Sequence, residues 1–387
     1  MSSGLSDRAS QLNPFHVMDI LARARQMEQD GTDVCHLEIG EPDFSTPVSI
    51  TEAGIRALQS SQTHYTQALG MPALRHAIAD YYQARYGLNI DHSRVIVTTG
   101  ASGAIQMALL SLLDHGDELL LADPGYPCNR NIAQLLSVNV RGVPVDADSG
   151  YQLSAQHIDD HWSDRTRAAM VASPSNPTGT LIEQQQLMAL YQNVTRHGGH
   201  LIVDEIYQGL VYDAQDTTAL QSCDDCFVIN SFSKYFAMTG WRVGWMVVPD
   251  AFVDAIDRIA QNIFLAPPTM SQFAAIEALS ERSRLELDQR RDVFRQRRDF
   301  LLPALKQLGF SIPVDPQGAF YIYVDCGKFT DDSFTWSKRL LHDKAVAITP
   351  GIDFGQFQAD THCRFAYTRP VDKLEQAVER IDRFIRS

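Results

Sequence analysis

The chain has 387 residues, of which 44% are apolar and 21% charged, with a formal net charge of −14. Such a balance excludes a disordered chain and a surface that gathers nucleic acid or anionic membrane by net charge. No apolar run approaches the roughly 18 residues a membrane span needs, and the length favours two domains over one.

In chain order, the amino-terminal stretch MSSGLSDRASQLNPF lacks the basic and then apolar regions of a secretory signal, so a cytoplasmic location is expected. A helix is predicted over 15–29, followed by an extended loop, IGEPDFSTP, whose two prolines and glycine oppose regular structure. From about 94, short β-branched or apolar runs alternate with amphipathic ones, the pattern of βα units on a mostly parallel sheet. Seven strands are predicted: RVIVTT (94–99), DELLLA (117–122), VNVRGV (138–143), RAAMVAS (167–173), HLIVDE (200–205), CFVINS (226–231) and RVGWMVV (242–248). Helices are expected over 102–113, 128–136 and 183–197. Beyond 272 an arginine- and glutamate-rich helical stretch runs to 308, and RRDVFRQRR (290–298) reads as a solvated face with intrahelical ion pairs. FYIYVD, AVAIT and CRFAYT then supply short strands before a last helix from 371. The expected division is a large α/β domain over 47–295 and a smaller α+β domain from 1–46 with 296–387. Six cysteines make no disulfide framework, and the single C-x-x-C at Cys223 and Cys226 is a weak metal or redox signal, so no metal is expected.

The chemistry concentrates where strands end. SFSKYFAMTGWRVGW (231–245) sets Lys234 in apolar company, with Arg242 eight positions on. The chain has 27 arginines and six lysines, and no lysine precedes Lys234. A solvated surface amine is the plainer reading, but only lysine, not arginine, can be desolvated, deprotonated and made a nucleophile. TTGASGAI (98–105) follows a strand and opens a helix, a geometry that aims backbone N–H groups at an anion such as phosphate. It also resembles the T-G-x-x-x-G-x-G fingerprint of nicotinamide enzymes. Against that stand Gln106 in place of the last glycine, the late position of the motif, and the lack of any Tyr-x-x-x-Lys pair. VDEIY (203–207) closes another strand with acids and Tyr207, although Asp204 or Glu205 could simply cap the next helix. SPSNPTG (173–179) offers the Asn176 amide ahead of Pro177, and PGYP (124–127) offers the flat ring of Tyr126, each also consistent with a turn or with packing.

Together these motifs resemble the class I/II aminotransferases that use pyridoxal 5′-phosphate, the fold type I family. The resemblance runs from HLEIGEPDF through HYTQALGMPALR, TTGASGAI, DPGYP, SPSNPTG, VDEIY and SFSKYFAMTGWRVGW to PQGAFYIY, PGIDFG and CRFAY, in family order. It implies a seven-stranded α/β/α domain with a smaller α+β domain, and a Schiff base between Lys234 and the cofactor aldehyde. Asp204 would pair with the ring nitrogen, Tyr207 and Asn176 with the phenolic oxygen, and Tyr126 would cover the ring face. Ala101, Ser102, Ser231, Ser233 and Arg242 would cup the phosphate. Tyr65 would reach the phosphate of a neighbouring subunit, so a homodimer with active sites at the interface is implied. Arg364, helped by Asn176 and Gly40, would clamp the substrate α-carboxylate. Ser102 is smaller than the residue some members carry and gives no reach to a substrate side chain, whereas Phe15 and His16 fall where relatives cover the pocket. The implied reaction is a ping-pong exchange between an amino acid and a 2-oxo acid, with glutamate and 2-oxoglutarate expected as one pair. A C–S β-lyase on the same fold is the alternative. A cofactor-sensing regulator would need a fused helix-turn-helix, for which about 14 residues before the first helix leave no room.

Overall fold

The computed structural model describes residues 4, 6–10, 12 and 14–387. The amino-terminal stretch MSSGLSDRASQLNPF lies partly outside these residues. Twelve strands are described: β1 (Cys35–His36), β2 (Val95–Thr98), β3 (Glu118–Asp123), β4 (Asn139–Pro144), β5 (Thr166–Ala172), β6 (His200–Asp204), β7 (Phe227–Ser231), β8 (Gly244–Val247), β9 (Tyr321–Asp325), β10 (Val346–Ala347), β11 (Thr349–Pro350) and β12 (His362–Ala366).

β2 to β8 form the seven-stranded sheet in the order β2-β8-β7-β6-β5-β3-β4. β8 runs antiparallel to both neighbours and the other pairings are parallel. Every strand of this sheet except the edge strand β4 is almost wholly buried, which explains their continuous apolar runs, while β4 is mostly exposed or half-buried. Successive side chains of a strand face opposite sides. Val95 and Val97, Leu120, Leu201 and Val203, and Val228 therefore enter one apolar layer; Ile96, Leu119 and Leu121, Ile202, and Phe227 and Ile229 enter the other. The helix Gly100–Leu112 closes that second layer with the small residues Ala101, Ala104 and Ala108, which let it lie close to the strands.

All seven predicted strands are present to within two residues, as are the predicted helices, observed at Gly100–Leu112, Pro127–Leu135 and Gln184–Arg196. Several helices carry no individual expectation from the sequence, and two of them, Val48–Gln59 and Pro72–Tyr86, begin at prolines, one at Pro47 and one with Pro72 in its first turn. The stretch beyond 272 is two helices, Thr269–Ala278 and Glu281–Leu308, because the Ser280 hydroxyl accepts the Ser283 N–H and starts the second afresh. AVAIT likewise divides between two sheets. β10 pairs in parallel with β1, and β11 joins the antiparallel sheet β11-β12-β9.

The arginine-rich segment is only partly a solvated face. Arg290, Arg291 and Arg295 make pairs along the helix with Glu286, Asp288 and Asp292. Arg297 and Arg298 are instead buried. Arg297 holds Asp43 of the GEPDF loop through two bonds of 2.7 and 2.8 Å, and Arg298 pairs with Asp213 and Asp299. The reason is packing: that helix lies against the loop leading into the cavity, so its inner arginines meet carboxylates of other segments.

Candidate active site

The carboxyl ends of β2, β3, β5, β6 and β7 and the start of β8 share one edge of the large sheet, as the registers Thr98 to Gly244 and Ser231 to Gly244 require. A cavity of about 440 Å³ opens at this edge. Its lining includes Gly40, Ala101, Ser102, Tyr126, Asn176, Asp204, Tyr207, Ser233, Lys234, Arg242 and Arg364, nearly the whole set singled out in the sequence. Two of that set lie outside it. Ser231 stands one layer back, where its hydroxyl donates to Ser233 Oγ at 2.9 Å and accepts the Ser233 N–H at 3.1 Å. Tyr65 is 83% exposed and does not line this cavity.

Lys234 projects from the turn after β7 and donates from Nζ to the Gly40 carbonyl at 2.6 Å. Its amine lies 5.9 Å from the Tyr207 ring and 6.0 Å from that of Phe320. Burial pulls its pKa down from 10.5 to about 8; Arg364 and Arg242 push the same way, against Glu41 and Asp204. At the end of β6, Asp204 accepts the Ile206 N–H at 3.0 Å and is only 4% exposed. Burial raises its pKa from 3.8 to about 6, opposed by that N–H and by Lys234. Glu205 points elsewhere, accepting from the Thr218 hydroxyl and the Ala219 N–H, and so takes the capping role.

The Tyr207 hydroxyl meets that of Tyr321 at 2.8 Å. Tyr321 also fixes the approach of the GEPDF loop: a Cβ on Gly40 would fall 2.1 Å from its hydroxyl oxygen. At the far side, Gly100 opens its helix with φ +75, and a Cβ there would lie 2.5 Å from Nη2 of Arg242. Arg242 itself donates to the Thr239 carbonyl at 3.0 Å. The guanidinium thus lies against the first turn of the helix, whose leading N–H groups have no intrahelical acceptor, a pairing suited to an anion.

Arg364 is buried on β12, between Thr349 of β11 and Tyr323 of β9 in register. Nη1 donates to Asn176 Oδ1 at 2.8 Å, and Nη2 donates to the Glu38 carbonyl at 2.6 Å and to Thr349 Oγ1 at 3.1 Å. Its guanidinium carbon sits 4.2 Å from the Tyr321 ring centre and 4.9 Å from that of Phe354. Nε has no partner, and among the described residues no carboxylate pairs with this cation. A buried guanidinium held only by neutral oxygens and aromatic faces is built to receive a carboxylate.

Sequence reasoning missed Asp353, Phe354, Thr349, Tyr321, Thr239 and Glu41, all of which line the cavity. Several lie in the motifs PQGAFYIY, PGIDFG and GEPDF, but nothing local says which side chain turns inward. Asp353 accepts the N–H groups of His16 and Val17, each at 2.8 Å, and thereby pins the start of the helix His16–Gln29 so that Phe15, Val17 and Met18 wall the cavity. The ring of His16 instead packs on Phe334. Cys223 and Cys226 are buried away from the cavity, with Cys226 Sγ 2.9 Å from the Cys223 carbonyl. Among the described residues no group of three or more His, Cys, Asp or Glu is placed to hold a metal ion, and no helix is long and apolar enough to cross a membrane.

Comparison with known proteins agrees in sequence and in shape. The family model described as aminotransferase class I and II matches residues 32–381. The chain is 38% identical over 376 residues to valine–pyruvate aminotransferase of Mycobacterium tuberculosis, covering 97% of each. It is 33% identical over 388 residues to aspartate/prephenate aminotransferase of Thermus thermophilus, covering 99% of each. The crystal structure of an aminotransferase from Mycobacterium tuberculosis superimposes with a TM-score of 0.96 at 37% identity, over the whole of both chains.

Proposed function

The chain belongs to the class I and II aminotransferase family, with the fold type I architecture, and from that premise we propose that it exchanges an amino group between an amino acid and a 2-oxo acid in two half-reactions on pyridoxal 5′-phosphate. The observation that carries this reading is the unpaired, buried Arg364 facing the same cavity as the desolvated Lys234.

The residues present fit the cofactor. Asp204 is a buried carboxylate facing the cavity with no cation in ion-pair contact among the described residues, as a protonated ring nitrogen would require. The close approach of Arg242 to Gly100 leaves a cradle that a Cβ would fill. Ala101, Ser102, Ser233 and Arg242 would hold the phosphate, with Ser231 orienting Ser233 from behind. Tyr207 and Asn176 would meet the phenolic oxygen, and Tyr126 would cover the ring. When bound, pyridoxal phosphate supplies an aldehyde that condenses with amines and a ring that draws electrons from the substrate α-carbon.

Lys234 would hold the aldehyde, and its free amine would move the substrate α-proton. With its pKa lowered to about 8, a usable fraction is neutral near neutral pH. Asp204 would accept a hydrogen bond from the protonated ring nitrogen. Arg364 and Asn176, with Gly40, bind and orient the α-carboxylate, which fixes the α-C–H bond relative to the lysine. The two named relatives differ in the substrates their names give, valine with pyruvate in one and aspartate or prephenate in the other, so they do not choose this chain's substrate.

The reading includes a homodimer. Val48, Ile55 and Leu58 of the helix Val48–Gln59 are 71%, 46% and 52% exposed, and Tyr65 follows that helix closely in the chain. Apolar exposure along one helix supports an interface there, and Leu58→Asp is expected to shift the protein to monomer in analytical ultracentrifugation. The division into domains at 47–295 is kept as part of the proposal. The test of activity is a screen of amino donors against 2-oxo acceptors, with glutamate and 2-oxoglutarate included, following the cofactor's absorbance in each half-reaction. Interconversion of the aldehyde and amine forms supports the reading. Bound cofactor that no donor converts, or steady release of pyruvate without an acceptor, counts against it.

A further inference from the structure

Resting on that reading, we infer that the cavity wall selects amino acids with a single carboxylate and an uncharged apolar side chain, and disfavours dicarboxylates. Three cations line the cavity among the described residues, Lys234, Arg242 and Arg364, and each already has an anion or a reacting atom to serve. What remains to meet a substrate side chain is an apolar surface of Phe15, Val17, Met18, Ile39 and Phe354, together with acids.

Those acids are placed to balance the cations already present. Glu41 exerts the largest charge effect on Lys234 and accepts the Thr239 hydroxyl. Asp353 feels Arg364 and is fixed by the His16 and Val17 N–H groups. Glu38 turns its carboxylate onto His36 Nδ1 at 2.7 Å. A second substrate carboxylate would find no free counter-charge on this chain and would have Glu41 and Asp353 as neighbours, and an unpaired charge in such a place is strongly disfavoured. Each methylene buried against the same wall instead favours binding by about threefold to fourfold. This departs from the glutamate pair expected from the sequence.

The experiment uses the holoenzyme and measures kcat/KM for the donor half-reaction with leucine, valine, methionine and phenylalanine against aspartate, glutamate and lysine. The expected result is a preference of about 100-fold or more for the apolar donors, with the ratio narrowed about fivefold or more in favour of aspartate and glutamate by Glu41→Gln. Asp353→Asn, which keeps an acceptor for one of the two N–H groups, should narrow it as well. Aspartate, glutamate or lysine within tenfold of the best apolar donor would overturn the inference while leaving transamination standing. A ratio unmoved in both variants would overturn the role given to the acids. No conversion by any donor would take down the transamination reading, and this inference with it.

Discussion

Asp204 is a carboxylate that the cofactor-free protein must bury without a cationic partner. Burial raises its pKa from 3.8 to about 6, which corresponds to about 3 kcal/mol at about 1.4 kcal/mol per pH unit. The unfolded chain loses this proton near 3.8 and the folded chain only near 6. Between those values the folded state holds the extra proton, so stability falls as pH rises from about 4 to about 6, and the whole cost is present above that. Asparagine cannot ionise, yet its Oδ1 can still accept the Ile206 N–H. The cofactor-free Asp204→Asn variant is therefore expected to be more stable than the parent by up to about 3 kcal/mol at pH 7 and no different at pH 4. Denaturant unfolding followed by circular dichroism across that range measures the difference. Adding pyridoxal phosphate should reverse the order, because the parent gains binding energy that the variant loses. A variant no more stable than the parent at pH 7, or a gap that persists unchanged at pH 4, would refute the reasoning.

Lys234→Ala should abolish turnover and prevent borohydride from fixing cofactor to the chain. Because the lysine's pKa is lowered from 10.5 to about 8, its cost in the cofactor-free state is present below about 8 and fades toward 10.5, so the variant's stability gain should appear below pH 8 and vanish by about pH 10.5. Arg364→Lys should lower kcat/KM by about 100-fold or more, since one ammonium cannot span Asn176, the Glu38 carbonyl and Thr349 while still offering a planar fork to a carboxylate; a loss below about fivefold would contradict the clamp. Gly100→Ala, at φ +75 and with its Cβ 2.5 Å from Arg242, should cost about 1 kcal/mol or more of stability and weaken cofactor affinity about tenfold or more, read by equilibrium titration.

The parts of the site that sequence made legible are those set by strand ends. Lys234, Asp204, Asn176, Tyr126 and Ala101 each stand just past an apolar run, and parallel strands deliver such residues to one edge whatever the intervening helices do. Arg364 and Gly40 were reachable only through resemblance, because the short strands around them carry no period that says which face turns inward. The wall was less legible still. Asp353 reaches back 337 positions to His16, and Arg297 reaches back 254 to Asp43, contacts decided by packing between segments and not by local pattern. Ser231 and Ser233 differ by two positions in one motif, yet Ser233 lines the cavity and Ser231 supports it, a distinction of depth that a spacing does not encode.

Among the described residues β1 finds its only strand partner in β10, about 310 positions later. A ribosome adding about 5–20 residues per second takes roughly 15–60 s to cover that distance. A strand left unpaired over that interval has free N–H and C=O groups that other chains could pair with. Lys234 and the residues proposed to hold the phosphate are synthesised well before Arg364, so under the proposed function translation would deliver the cofactor-binding residues before the substrate-binding one.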